Sequence, residues 1–438
     1  LKAILLNSLW FFFDKVFKLA IGFTVSVLLI RYFGPEWFGK YNFLNSIVVL
    51  FSVLISFGSE GILIKLLVSE KENKNEILAA TFWIHTGFSF IAFIASFFVL
   101  YVLRPDSGLY SYFFLLSLPS IFRCFSVVRY VYEALLQIKV VVIIENSVFF
   151  SISFIRFLMI IYEYPIEYIF VSFALEGIFA SLGLFFYYRI QNGSFLNYKP
   201  KLNIIKKILY DSFPIFVSSF AVIVYMKVDQ IMIGTMLGDS HLGIYSVGVR
   251  LSEFWYFIPI GLSSSFFPIL IQLKKEISNQ YLNRFLLLHS ILFWIAFTGA
   301  VMIQFSGNVL VSYLYGINFE NSAAVLKIHI WTAIFVFLGV AGSNYFILEN
   351  LQKLTVYKSL IGLFTNIILN FFWIPTFGII GAAYATLISQ FCANTLFLIF
   401  FKQLHPLLKM QFNSLIHFRF NAFKLILMKR INVYGKND

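Results

Sequence analysis

Cysteine and charge are what this chain has least of. Two cysteines occur in 438 residues, Cys124 and Cys392, and both fall inside long apolar runs. They supply neither a disulfide framework nor zinc-ligand spacing. The six histidines show no pairing at i,i+4, so neither a metal site nor a cofactor is expected. Only 12% of the residues are charged against 60% hydrophobic. That balance excludes a soluble domain, whose surface must stay wettable. Acids are scarcer than bases, 20 against 33. No Asp-x-Asp or paired-carboxylate motif stands in the short external loops, which disfavours a membrane polysaccharide polymerase or a lipid-dependent glycosyltransferase.

What remains is apolar sequence in lengths that match a bilayer, with 57 phenylalanines in it. A spanning helix needs about 20 mainly apolar residues. Such stretches lie near 8–30, 41–66, 77–103, 110–132, 140–162, 165–189, 210–236, 246–270, 283–305, 322–348, 354–375 and 379–401. Runs such as Ile91 to Leu100 are continuously apolar, whereas the strands of a membrane barrel alternate. The fold class is therefore an all-α membrane protein of about twelve spans. With the N-terminus inside, the loops and tail place 22 Lys and Arg on the cytoplasmic side and four outside, Arg31, Lys40, Arg104 and Lys327. Both termini are then cytoplasmic. The net charge of +13 reflects basic loops facing anionic lipid rather than a nucleic-acid partner. The first apolar run carries Asp14, Lys15 and Lys18 and is not expected to be a removable signal peptide.

A repeat divides the chain. Gly34-Pro-Glu-Trp-Phe-Gly39-Lys-Tyr41 after the first span matches Gly238-Asp-Ser-His-Leu-Gly243-Ile-Tyr245 after the seventh. Pro165 opens the sixth span and Pro375 precedes the twelfth. Two six-helix bundles are expected, residues 1–190 and 208–401, related by a pseudo-twofold along the membrane normal. Residues 191–207 form a cytoplasmic linker between them. Residues 402–438 mix apolar and basic side chains, as in an amphipathic helix lying on the inner membrane surface.

Charges inside the spans are costly, roughly 2.5–3.5 kcal/mol each on insertion scales, and tend to face an interior or a wet cavity. Span one holds Lys15 and Lys18 on one face, with Asp14 at i,i+4 from Lys18. Span seven holds Lys227 and Asp229, with Lys227 on the face of Gln230 and Asp229 pointing away. Span eight carries Ser246, Arg250 and Glu253 in a stripe. Arg123, Arg129, Glu145, Arg156 and Glu176 fall in spans four to six. Two readings fit the cations: ligands of an anionic substrate, or internal ion pairs and snorkelling anchors. Pro119, Pro214, Pro259 and Pro268 mark bends that serve as hinges or as packing irregularities. Phe57-Gly-Ser-Glu60-Gly61 lacks the Lys-Ser/Thr that a phosphate loop requires.

Several stretches resemble the Wzx-type oligosaccharide flippases, the polysaccharide-transporter branch of the multidrug/oligosaccharidyl-lipid/polysaccharide exporter superfamily. They are Gly34 to Tyr41, Asp229-Gln-Ile-Met-Ile-Gly234, Leu242-Gly-Ile-Tyr-Ser246, and Asn366 to Asn370 leading to Ile374-Pro-Thr-Phe-Gly-Ile-Ile-Gly-Ala-Ala-Tyr-Ala-Thr386. The resemblance implies a central cationic cavity lined by spans one, two, seven and eight. It also implies alternating-access transfer of undecaprenyl-pyrophosphate-linked oligosaccharide from the cytoplasmic to the periplasmic leaflet of a bacterial inner membrane, for O-antigen or capsule synthesis. Lys18, Arg123, Arg156, Lys227 and Arg250 are the candidate substrate ligands, and Asp229 and Glu60 the candidate coupling-ion carriers. The expected partners are the lipid-linked oligosaccharide and membrane lipids, with a polysaccharide polymerase and a chain-length regulator as candidate companions. A lipid II flippase or a drug exporter of the same superfamily is the nearest alternative, although surplus buried cations would repel a cationic drug.

Overall fold

A computed structural model describes residues 2–69, 73–105, 108–275 and 280–416. The carboxyl-terminal stretch 417–438, most of the expected amphipathic tail, lies outside the described residues. Among the described residues there is no strand; the elements are α1 (Lys2–Ser56), α2 (Glu60–Ser69), α3 (Lys74–Leu103), α4 (Tyr110–Phe122), α5 (Arg129–Ala134), α6 (Ile138–Ile161), α7 (Ile166–Asn192) and α8 (Leu202–Met236), then α9 (Asp239–Glu253), α10 (Phe257–Lys275), α11 (Gln280–Tyr315), α12 (Ser322–His329), α13 (Thr332–Leu348), α14 (Gln352–Asn394) and α15 (His405–Ile416), with short 3-10 turns between some of them. An all-helical chain is what lipid demands, since each backbone donor must find its acceptor within the segment.

Ten helical segments among the described residues are long and apolar enough to cross a membrane. Eight correspond one to one with expected spans. The other two, Phe17–Ser69 and Gln352–Phe400, each contain two of them, and run to 53 and 49 residues. A straight helix of 50 residues would reach about 75 Å, over twice the hydrocarbon thickness. Each is broken at a glycine, Gly34 (φ 65°) in α1 and Gly378 (φ 61°) in α14, and the first is broken again at Phe57 and Gly58. At Gly34 and Gly378 the chain turns without a loop between the two arms. The fold-back of α14 is plain from Asn366, whose side-chain amide donates to Thr386 Oγ1 and Ser389 Oγ at 3.4 Å each, from 20 and 23 residues away. In a straight helix those groups would stand about 30 Å apart.

Residues with positive φ recur in pairs half a chain apart: Gly34 with Gly238, Gly108 with Gly316, Leu136 with Asn350, and Glu163 with Gly378. The turns at Leu136 and Asn350 share one hydrogen-bond pattern. Leu135, Leu136 and Gln137 donate to Val131, Glu133 and Tyr132, and Glu349, Asn350 and Leu351 donate to Tyr345, Ile347 and Phe346. These are left-handed helix ends whose last carbonyls are satisfied before the next span starts.

By contact the chain forms two compact units, one of residues up to Gly243 with Leu314–Asn318, the other of Ile244–Tyr313 with Phe319 onward. Phe82, Val127, Val131, Ile138, Leu184, Tyr188 and Phe195 are among the residues at the centre of the first. Leu270, Phe285, Leu288, Phe337, Phe346, Phe397 and Leu407 belong to the centre of the second. Because lipid is as apolar as the core, the interiors are held by close packing and small residues. The outer surfaces are equally apolar, with Phe305 at 83% and Ile190 at 82% exposed. Pro119 illustrates the packing: a Cβ added at Gly177 would lie 2.6 Å from the Pro119 ring, so α4 and α7 meet as knob and hole. Neither the ring nor the backbone at Gly177 can yield. Gly177→Ala should therefore lower the thermal unfolding midpoint of the detergent-purified protein, at a cost of about 1–3 kcal/mol. Gly87→Ala, where no atom lies within 4 Å of the new methyl, should leave it unchanged.

Candidate functional site

The polar groups within the first unit fall into linked sets rather than single ligands. Lys18 Nζ on α1 sits 2.9 Å from Asp14 Oδ1 and 3.0 Å from Glu145 Oε2 on α6. Glu145 extends its other oxygen to Arg129 Nη1 at 2.6 Å, and Arg129 Nε reaches Glu133 Oε1 at 2.8 Å. Three carboxylates thus hold two cations across α1, α5 and α6. A charge moved out of water at this depth would cost several kcal/mol alone; the chain of alternating sign offsets that cost.

Arg156 is engaged as fully. It is 5% exposed, with Nε 2.9 Å from Ser172 Oγ, Nη2 2.8 Å from Glu176 Oε2, and the guanidinium 4.0 Å over the Phe173 ring. The i,i+4 pairing of Lys18 with Asp14 is legible from spacing. Glu145 and Glu176 are visible as charges, but their partners are not, because 127 residues separate Lys18 from Glu145.

A third set surrounds the break between α1 and α2. Phe57 and Gly58 both have positive φ there. Ser59 Oγ donates to Ser56 O at 2.6 Å and lies 3.0 Å from Nε2 of the buried His85. Arg123, exposed at the end of α4, acts electrostatically on His85 and on Tyr130. The Tyr130 ring stands edge-on to His85, with centroids 6.5 Å apart. His85, Ser59 and Tyr130 are members that sequence reasoning missed, since each resembles an ordinary core residue taken singly.

On α8, Asp229 is buried and its Oδ1 accepts the backbone N–H of Gln230 at 2.7 Å. Gln230 Oε1 accepts from Ser46 Oγ of α1 at 2.7 Å. Lys227, one turn away, is half-buried. In the second unit, Arg250 is exposed on α9, and Asn366, Asn370, Thr386 and Ser389 form a neutral cluster in α14 in which Asn370 donates to Asn366 Oδ1 at 2.9 Å. Among the described residues, no carboxylate forms an ion pair with Lys227, Arg123 or Arg250, whereas Lys18, Arg129 and Arg156 are each paired. Among the described residues the candidate cations thus divide into those with a carboxylate partner and those without one.

The fold is that of the exporter superfamily of multidrug and lipid-linked sugar transporters. A multidrug resistance MATE family transporter in an inward-facing conformation superposes with a TM-score of 0.69 at 12% identity, covering 91% of this chain and 94% of that one. The lipid II flippase MurJ in its inward closed conformation gives 0.65 at 19% identity, over 94% and 91%. The model of the polysaccharide biosynthesis protein family matches residues 4–274, and the chain belongs to that family, the Wzx-like flippases of the superfamily. The capsular polysaccharide biosynthesis protein CapF of Staphylococcus aureus is 24% identical over 91% of this chain and 99% of its own length. The probable flippase AglR of Haloferax volcanii is 30% identical over 38% of this chain and 36% of its own. The chain is thus a multi-pass membrane transporter of the flippase type and not an enzyme.

If Glu145 is what holds Lys18 and Arg129 in place, Glu145→Gln should lower the unfolding midpoint. Adding Lys18→Met should restore part of the loss. A double-mutant cycle on detergent-purified protein is expected to give a coupling of about 0.5–3 kcal/mol; strict additivity would remove Glu145 from its role as hub.

Proposed function

We propose that this protein flips undecaprenyl-pyrophosphate-linked oligosaccharide repeat units from the cytoplasmic to the periplasmic leaflet, for synthesis of a surface polysaccharide such as O-antigen or capsule. Lys227 and Arg123, both in the first unit, take the pyrophosphate, and the prenyl chain stays in lipid; Arg250, in the second unit, is a separate candidate cation. The observation that carries this reading is that Lys227 and Arg123 have no carboxylate paired with them among the described residues, while Lys18 and Arg156 do. An unpaired cation in a span is retained at a cost, and a diphosphate is the anion that Arg and Lys bind well. Membership of the polysaccharide biosynthesis family supports the sugar-carrying substrate.

Transport proceeds by alternating access between two six-helix halves, twelve spans in all, with both termini in the cytoplasm of a bacterial cell. The paired positive-φ turns half a chain apart support that duplication. Asp229 and Glu60 are the acids proposed to carry a coupling ion. Lys18 and Arg156 are assigned to holding helices together rather than to the substrate.

Deleting the protein in its host should abolish surface polymer and trap unpolymerised lipid-linked units on the cytoplasmic leaflet. Normal polymer in the absence of a second flippase would overturn the reading and direct tests to lipid II and drug efflux. In reconstituted vesicles, Lys227→Ala should slow translocation of lipid-linked oligosaccharide at least roughly tenfold, the loss of a charge-assisted contact of about 1.5–3 kcal/mol. Lys227→Arg should retain part of the rate.

A further inference from the structure

The last described helix meets the protein with one of its faces and leaves the other outward. α15 starts at His405, soon after Phe400, where the final membrane-crossing segment ends. It therefore lies at the boundary between lipid and water. Leu407, Met410, Gln411 and Ser414 are buried, all on one side of the helix. Leu407 seats against α13, since a Cβ added at Gly342 would come within 3.3 Å of its side chain. Gln411 donates its amide to the carbonyl of Asn394 at 3.0 Å. Asn394 is the last residue of α14, where a helix leaves its carbonyls without internal donors. Tyr345 of α13 donates to the carbonyl of Gln403 at 3.3 Å, just before α15. α15 thus caps one span of the second unit and packs on another.

The side that an independent amphipathic helix would lay on lipid is, at Leu407 and Met410, taken up by protein. The opposite side carries His405, Lys409, Phe412 and Ile416, at spacings of four, three and four, with Leu415 next to them. All are exposed, Phe412 at 54%, Leu415 at 43% and Ile416 at 79%. Lys402, in the turn before the helix, is exposed too. A face turned to water alone would not hold three large apolar side chains, and one turned to hydrocarbon alone would not hold lysine. A face with a cationic half and an apolar half fits the headgroup layer. Its charge is of one sign. From Thr395 to Asn437 there are seven Lys and Arg and no Asp or Glu. Five of the seven, Arg419, Lys424, Lys429, Arg430 and Lys436, follow α15, outside the described residues.

Resting on the cytoplasmic placement of the termini proposed above, we infer that α15 is a brace which anionic phospholipid of the inner leaflet holds against the second unit. Lys402 and Lys409 take the headgroup phosphates, while Phe412, Leu415 and Ile416 enter the acyl boundary. Gln411 and Leu407 carry that hold to the ends of α14 and α13. Lipid charge and the packing of the second unit are then linked, because a ligand that binds the folded arrangement stabilises it. One basic side chain near an anionic surface raises affinity about fivefold.

The test titrates dioleoylphosphatidylglycerol into the purified full-length protein in phosphatidylcholine–detergent micelles and reads the thermal unfolding midpoint. The midpoint should rise, the rise should shrink in 1 M salt, where charge is screened beyond about 3 Å, and extra phosphatidylcholine should not reproduce it. Lys402→Gln combined with Lys409→Gln should need at least about fivefold more phosphatidylglycerol for the same rise. Lys199→Gln combined with Lys206→Gln removes equal charge from exposed linker positions and should leave the titration unchanged. An equal loss in the linker variant, or an equal rise with phosphatidylcholine, would overturn the inference. So would a midpoint that rises with protein concentration before lipid is added and ceases to do so in Phe412→Ser, since a second copy would then cover this face. Undecaprenyl diphosphate is added in a parallel series. If it acts equally on the wild type and the α15 variant, the brace and the substrate site are separate. Loss of its effect alone in that variant would assign the two lysines to substrate and overturn the brace. No response to it in any form, with the phosphatidylglycerol effect intact, would reject the substrate and uphold the brace.

Discussion

Every part of this structure answers to one constraint: inside lipid, a polar group that finds no partner in the protein finds none at all. The backbone meets it by remaining helical through nearly every span and by confining its breaks to single residues such as Gly34 and Gly378. Side chains meet it by forming chains of alternating charge. The series Asp14, Lys18, Glu145, Arg129 and Glu133 joins three helices and leaves no cation among its members unbalanced. Against that background an unpaired lysine or arginine stands out, because holding it there works against stability unless something else supplies the anion.

The same constraint determines what could be read from sequence. Spans are legible because lipid imposes their length; eight expected spans match single helical segments, and the other four fall within two longer ones. A one-residue turn at Gly34 or Gly378 leaves no polar loop to mark it. The candidate cations were visible as charges in apolar runs, yet their roles depended on partners far along the chain. Lys18 with Asp14 is a local pair, whereas Lys18 with Glu145 and Arg156 with Glu176 arise only when helices pack. Pro119 looked like a hinge or an irregularity; its contact with Gly177 makes it a packing knob.

The duplicated motif behaved differently again. Its repetition was legible, but sequence offers no sign that the two copies touch, Gly39 against the Asp239 carbonyl and Gly243 against the Pro35 carbonyl. A repeated element within one chain acts like the interface of a symmetric dimer: when one copy contacts the other, any surface it uses must also complement itself. A glycine facing a carbonyl meets that requirement with no side chain at all. It also explains why the second glycine of each copy is indispensable although its own φ is ordinary.

The turn at Gly378 bears on how the protein is made. Across the fold-back of α14 the Asn366 amide donates to Thr386 and Ser389, while Asn370 donates to Asn366 within its own arm. The first arm entering the bilayer alone would bring the Asn366 amide into hydrocarbon without the hydroxyls that accept from it. Entering together, the arms satisfy one another before any neighbouring helix arrives. Synthesis of this region is therefore best served by a translocon that releases the hairpin as a pair, so that the order of insertion, and not only the final packing, is written into that one glycine.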